Sequence, residues 1–114
     1  MNGKLQGHAQ RVQVPDGSVT ELTTVLNTET TADEINEAFK AAFSDTDYYG
    51  YNDEGIVSSD ILGDTHGGVF DPTQTDVNTI DGVTLARTVS FYDNEYGFTS
   101  NMIRTLLYFA EISE

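Results

Sequence analysis

Asp81-Gly82 stands between two extended runs and leaves them one compact way to join. A two-residue loop of this composition accepts the positive φ values of a tight hairpin turn. Val83–Tyr92, with Val83, Leu85, Thr88 and Val89 among its β-formers, is the longest strand expected in the chain. Val69–Thr75 and Asp76–Ile80 read as extended around a bend ahead of the turn. Ile56–Leu62 reads as a further strand, and Gly63–Gly68 as its connection onward.

Nearer the start, Val12 and Val14 alternate with Arg11 and Gln13, so Gln10–Val14 reads as a half-buried strand. Pro15-Asp16-Gly17 is a turn, and Val19–Leu26 resumes the extended pattern. The two runs are expected to form a hairpin. Thr31-Ala32-Asp33-Glu34 is a capping box, followed by Ile35, Ala38, Phe39 and Ala42 on one helical stripe. That helix is expected to end near Phe43 or Ser44, with Ser44–Gly55 a loop. Asp93-Asn94 opens a second helix, whose buried face is Ile103, Leu106, Leu107 and Ala110, widened by Met102 and Phe109. The expected fold is α+β: a mostly antiparallel mixed sheet with helices on one face.

Charge and composition exclude several functions. The 114 residues carry 19 Asp+Glu against 5 Lys+Arg, a formal charge of -14. Phosphate backbones and anionic membrane surfaces need clustered cations, so neither nucleic acid nor membrane is an expected partner. The chain has no cysteine, which excludes disulfides, thiolate metal sites and a cysteine nucleophile within it. No apolar run approaches the ~20 residues of a membrane span. The opening residues do not form a signal peptide, so a cytoplasmic location is expected. Hydrophobic residues make up 38%, yet 6 Tyr and 6 Phe are too many for a disordered acidic tail.

Few residues carry chemistry. Asp45, Asp47, Gly50 and Asp53 echo a calcium loop, but its fifth position is Tyr49 and its twelfth Ile56, so a solvated acidic loop is expected. His8 and His66 have no second ligand at metal spacing. Arg11, inside a strand pattern, either faces solvent or holds an anion. The segment Phe91–Gly97 packs aromatics and a carboxamide into a strand-to-helix junction. Its Asp93 and Asn94 are either caps alone or face a ligand.

Tyr92-Asp93-Asn94-Glu95-Tyr96-Gly97 resembles the W-Y-D-N-E-x-G signature of the glyceraldehyde-3-phosphate dehydrogenase family, with Phe91 in place of the Trp. Asn2-Gly3-Lys4-Leu5-Gln6-Gly7 is similar to the family's N-G-K-L-x-G, with Met1 where an apolar residue precedes it. Ala9-Gln10-Arg11-Val12 resembles A-x-R-V, although Gln13 replaces the usual proline. Ser18–Leu22, Val57–Asp60 and Gly63–His66 are similar, in the same order, to S-V-x-D/E-L, V-S-S/T-D and G-D-T-H. The resemblance covers nearly the whole chain and about the last third of that enzyme.

The resemblance implies a carboxyl-terminal part of the family's catalytic domain. The NAD-binding Rossmann domain, the catalytic Cys and its activating His would lie outside residues 1–114. It implies that Arg11 holds substrate or inorganic phosphate, and that Asn94 hydrogen-bonds the NAD carboxamide. Tyr92 and Glu95 would support the ring, and Phe98, where many members carry Tyr, lacks a hydroxyl. The implied reaction converts glyceraldehyde 3-phosphate, phosphate and NAD to 1,3-bisphosphoglycerate and NADH in a homotetramer, with this chain inactive alone. The alternative reading is a non-enzymatic acidic module that binds a basic partner or serves as a scaffold.

Overall fold

The computed structural model describes residues 2–113, so Met1 lies outside it. The chain runs through β1 (Ser18–Leu26), α1 (Ala32–Phe43), β2 (Gly50–Tyr51), β3 (Val69–Phe70), a 3-10 turn (Pro72–Gln74), β4 (Asp76–Ile80), β5 (Val83–Tyr92) and α2 (Tyr96–Glu111). This is the expected α+β class with a mixed, mostly antiparallel sheet.

The sheet is organised by β5. One of its edges pairs antiparallel with β1 along nine positions, from Ser18 opposite Tyr92 to Leu26 opposite Thr84. The other edge is shared. β4 takes its first half, Ile80 opposite Val83 to Asp76 opposite Arg87. β3 takes its end, with Val69 opposite Phe91 and Phe70 opposite Ser90. β2 lies parallel to β3 and completes the sheet. Asp81 and Gly82 sit at φ 51° and 77°, the left-handed values a type I′ hairpin turn needs.

Side chains alternate across a strand, and the two faces are covered differently. On one face Phe70, 1% exposed, lies beneath Phe39 of α1, ring centroids 4.2 Å apart. α1 starts where expected. Thr31 Oγ1 accepts from the Glu34 N–H, and Glu34 Oε2 accepts from the Thr31 N–H. The Asn36 side chain then fastens it to the 3-10 turn, donating to Pro72 O and accepting from Thr75 Oγ1. On the opposite face Val69, Val89 and Phe91 pack with Ile61. Further along that same face Val25, Ile80, Val83 and Leu85 are exposed.

Several expectations fail for identifiable reasons. Gln10–Val14 is not a strand, so no hairpin forms with Val19–Leu26. Pro15 has no N–H to extend a ladder, and β1 takes its partner from the distant β5. Ile56–Leu62 is not a strand either. Asp60 accepts the Val57 N–H on its carboxylate and donates its own N–H to Val57 O, which closes a turn and drops Ile61 into the core. The extended reading of Val69–Thr75 breaks at Asp71, a buried residue whose carboxylate accepts from the Thr73 N–H and from the Thr73 and Gln74 side chains. The Ser44–Gly55 loop contains the short β2.

The apolar stripe of α2 is the largest departure. Ile103, Leu106, Leu107 and Ala110 are exposed instead of buried. α2 is anchored at its beginning to the 63–68 connection. A Cβ on Gly97 would meet His66 O at 2.5 Å, and Arg104 Nη1 donates to Thr65 O at 2.7 Å. The radius of gyration is 16.1 Å, against roughly 13 Å for a self-contained domain of this length. Among the described residues, no helix is long and apolar enough to cross a membrane.

Candidate functional site

A cleft of about 170 Å³ opens between residues 10–18 and the junction of β5 with α2. Arg11, Asp16, Ser18, Asn94 and Glu95 line it, so residues more than 70 positions apart meet in one cleft. Tyr92 does not line it; it is the last residue of β5, opposite Ser18 in the ladder.

Three features build the junction. First, Asp93 is 2% exposed and its carboxylate accepts three backbone N–H groups: Gly63 at 2.8 Å, Glu95 at 2.9 Å and Tyr96 at 2.6 Å. It thereby caps α2 and pins the 63–68 connection to the end of β5. Second, the Asn94 side chain is free of that capping role, and its Oδ1 accepts from the Ser18 hydroxyl at 3.0 Å. Third, Gly17 delivers Ser18. Its φ of 89° is left-handed, and a Cβ there would press on Ser58 O at 3.1 Å and Ile61 Cγ2 at 3.3 Å. Asp16 Oδ1 accepts the Gly17 N–H at 2.6 Å and fixes the bend.

The cleft is electrostatically divided. Arg11 is the single cation of its lining, whereas Asp16 and Glu95 also line it and, with the buried Asp93 behind them, bring carboxylate oxygens within 4.8 Å of one another. The three N–H donors hold the Asp93 carboxyl below its ordinary range, led by the Gly63 N–H. Glu95 moves the other way. A hydrogen bond shared with Asp16 raises its pKa first, with desolvation and the neighbouring negative charges adding to it. Both oxygens of Asp93 already accept N–H groups, so within the trio Asp93 is committed to the backbone. The trio's oxygens accept hydrogen bonds, and Arg11 is the cationic member of the lining.

His66 serves the scaffold. Its backbone N–H and its Nδ1 both contact Asp64 Oδ1 at 2.8 Å. The larger cleft, about 490 Å³, lies between α1 and the 3-10 turn and contains neither Arg11 nor Asn94. Asp33, Glu37 and Asp53 line it against a single cation, Lys40, so its lining is net negative. The sequence pattern marked Arg11, Asn94 and Glu95 but missed Ser18 and Asp16. Their only local signal was a turn, Pro15-Asp16-Gly17, placed directly before a strand.

Residues 1–94 match the family model described as glyceraldehyde 3-phosphate dehydrogenase, C-terminal domain. The chain is 54% identical over 112 residues to the glyceraldehyde-3-phosphate dehydrogenase of Lactobacillus delbrueckii subsp. bulgaricus, an alignment covering 98% of this chain and 32% of that protein. It is 53% identical over all 114 residues to the enzyme of the same name from Streptococcus pyogenes, covering 33% of it, and equally so to that from Streptococcus dysgalactiae subsp. equisimilis. The chain thus spans about a third of the length of the curated relatives it matches. The matched span and the degree of identity place this chain in the glyceraldehyde-3-phosphate dehydrogenase family, in the part of it that forms the C-terminal domain.

Proposed function

We propose that these residues are the carboxyl-terminal part of the catalytic domain of a phosphorylating, NAD-dependent dehydrogenase. The whole enzyme would convert glyceraldehyde 3-phosphate, inorganic phosphate and NAD to 1,3-bisphosphoglycerate and NADH, in the cytoplasm and as a homotetramer. The observation that supports this reading is the cleft shared by Arg11 and Asn94. The Arg11 guanidinium offers a planar fork of donors that matches two phosphate oxygens. The Asn94 carboxamide both donates and accepts, which suits the carboxamide of a nicotinamide ring. Glu95 lines the same cleft, and Tyr92 supports it through the strand that it ends.

NAD, when bound, supplies the hydride acceptor. This chain's part is to orient: Arg11 holds the phosphate and Asn94 sets the ring. The Rossmann domain that grips the rest of the dinucleotide belongs to polypeptide outside residues 1–114. So does the nucleophile, because the chain has no cysteine. The isolated chain should therefore reduce no NAD with glyceraldehyde 3-phosphate.

The test is a pair of variants in a full-length dehydrogenase carrying this segment. Arg11→Leu removes a charge-assisted hydrogen bond worth about 1.5–3 kcal/mol, or one to two decades in kcat/KM for phosphate or substrate. Its KM for NAD should stay near that of the parent. Asn94→Ala should show the opposite split. Equal effects of both variants on NAD and phosphate, or reduction of NAD by the pure 114-residue chain, would overturn the reading. The acidic-module alternative draws on the cleft lined by Asp33, Glu37 and Asp53. It predicts salt-sensitive binding of a basic peptide that neither variant alters.

A further inference from the structure

We propose that Ser18 is a positioning residue that holds the Asn94 carboxamide ready for its ligand. The inference rests on the reading of Asn94 as the group that meets the nicotinamide carboxamide. Its own basis is geometric.

Asn94 lies just past the end of β5 and is exposed. An exposed asparagine ordinarily samples several side-chain rotamers, and each one that misses the ligand lowers the fraction of molecules ready to bind. Here the side chain is tethered. The Ser18 hydroxyl donates to Asn94 Oδ1 at 3.0 Å. Among the described residues, nothing accepts from Asn94 Nδ2, so the amide presents its NH₂ half as a free donor. The partner this selects is a carbonyl oxygen, and a nicotinamide carboxamide carries one.

The tether is built from rigid parts. Ser18 opens β1 opposite Tyr92, so the β1–β5 ladder fixes its hydroxyl two residues from Asn94. Behind Ser18, Gly17 packs where a Cβ would meet Ser58 O and Ile61. Behind Asn94, Asp93 is locked by the Gly63, Glu95 and Tyr96 N–H groups. Both ends of the Ser18–Asn94 bond are therefore held by backbone, and the bond adds order to the one side chain between them that is otherwise loose.

The test compares Ser18→Thr with Ser18→Val, which match in shape and differ in the hydroxyl. In a ¹⁵N-labelled full-length dehydrogenase carrying this segment, without ligand, the Asn94 side-chain order parameter should survive in the Thr variant. In the Val variant it should fall into the flexible range, below about 0.6. In a full-length dehydrogenase carrying this segment, Ser18→Val should lower kcat/KM for NAD by about fivefold and leave the KM for phosphate unchanged. Ser18→Thr should restore it. On an Asn94→Ala background Ser18→Val should add nothing. Equal order parameters in the two variants would overturn the proposal. So would a Ser18→Val effect that persists in full without Asn94. If Asn94→Ala impairs NAD use while Ser18→Val matches the parent, the role of Asn94 stands and that of Ser18 falls. If Asn94→Ala leaves NAD use untouched, both fall.

Discussion

Phe39 lies flat on Phe70, their planes 15° apart and their centroids separated by 4.2 Å. This stack helps to fasten α1 to the sheet, beside Lys40 over the Tyr51 ring of β2, and the sheet-side ring is the more deeply buried. Phe70→Ala should cost about 3–5 kcal/mol, as full truncation of a buried aromatic does. A domain with stability of only about 5–15 kcal/mol has little margin for that loss. Phe39→Ala, at the partly exposed side of the stack, should cost about half as much. Urea unfolding of the chain followed by circular dichroism measures both. Equal costs would mean that α1 and the sheet depend on each other beyond this contact.

The junction below Asn94 sets a pH dependence with two opposing parts. Asp93 is held below its ordinary 3.8, so the folded state favours its carboxylate. That contribution is present above 3.8 and is lost as pH falls through the lower, folded value. Glu95 is raised above its ordinary 4.5, so the folded state favours its protonated form. That contribution is complete below 4.5 and is lost as pH rises through the higher, folded value. Asp93→Asn should therefore lower Tm at neutral pH, with the difference from the parent narrowing as pH drops below 3.8. Glu95→Gln should raise Tm at neutral pH and do little at pH 4. Thermal melts across pH 2.5–7.5 check both signs.

The parts of the fold legible in the sequence are those decided locally. The Thr31–Glu34 capping box and the Asp81-Gly82 turn each fix their conformation within four residues, and both appear as expected. The partner of β1 was not legible, because the choice between Gln10–Val14 nearby and β5 some sixty residues on depends on contacts no local pattern contains. Asp60 and Asp71 misled for a different reason. Each uses its carboxylate to close a turn within what reads as an extended run. The site divides in the same way. Arg11 and Asn94 stood out by motif, whereas their common cleft and the Ser18 tether exist only once β1 lies against β5.

Gly97 offers a test of how α2 is seated. An alanine in a helix normally gains about 1 kcal/mol over glycine. At Gly97 the added Cβ would sit 2.5 Å from His66 O, a backbone atom that cannot swing aside. Gly97→Ala should therefore destabilise the chain by about 1–3 kcal/mol. At Gly67 the atom met at the same distance is the end of the Asn101 side chain, which can rotate away. Gly67→Ala should cost less than Gly97→Ala. The order of the two midpoints in urea is the measurement, and a reversed order would place α2 differently.

The exposed apolar surface predicts how the chain behaves alone. Its accessible area is 8644 Å², against roughly 6,200 Å² for a self-contained monomer of this length. Two regions carry exposed apolar side chains close together in sequence or register: Ile103, Leu106 and Leu107 on α2, and Val25, Ile80, Val83 and Leu85 on the sheet. Soluble monomers rarely expose apolar patches beyond a few hundred Å². Among the described residues β1 pairs with β5 alone and leaves its outer edge open, which invites further pairing. Opposing this, the charge of -14 repels like copies, and salt screens that repulsion over about 10 Å at 0.1 M. The chain should therefore self-associate at micromolar concentration, and more so as salt rises. Leu106→Glu together with Leu107→Glu should reduce that association and the binding of a hydrophobic dye. Sedimentation velocity at low and high salt reads the outcome. A salt-independent monomer that binds no dye would show that these faces are covered in solution by rearrangement within the chain.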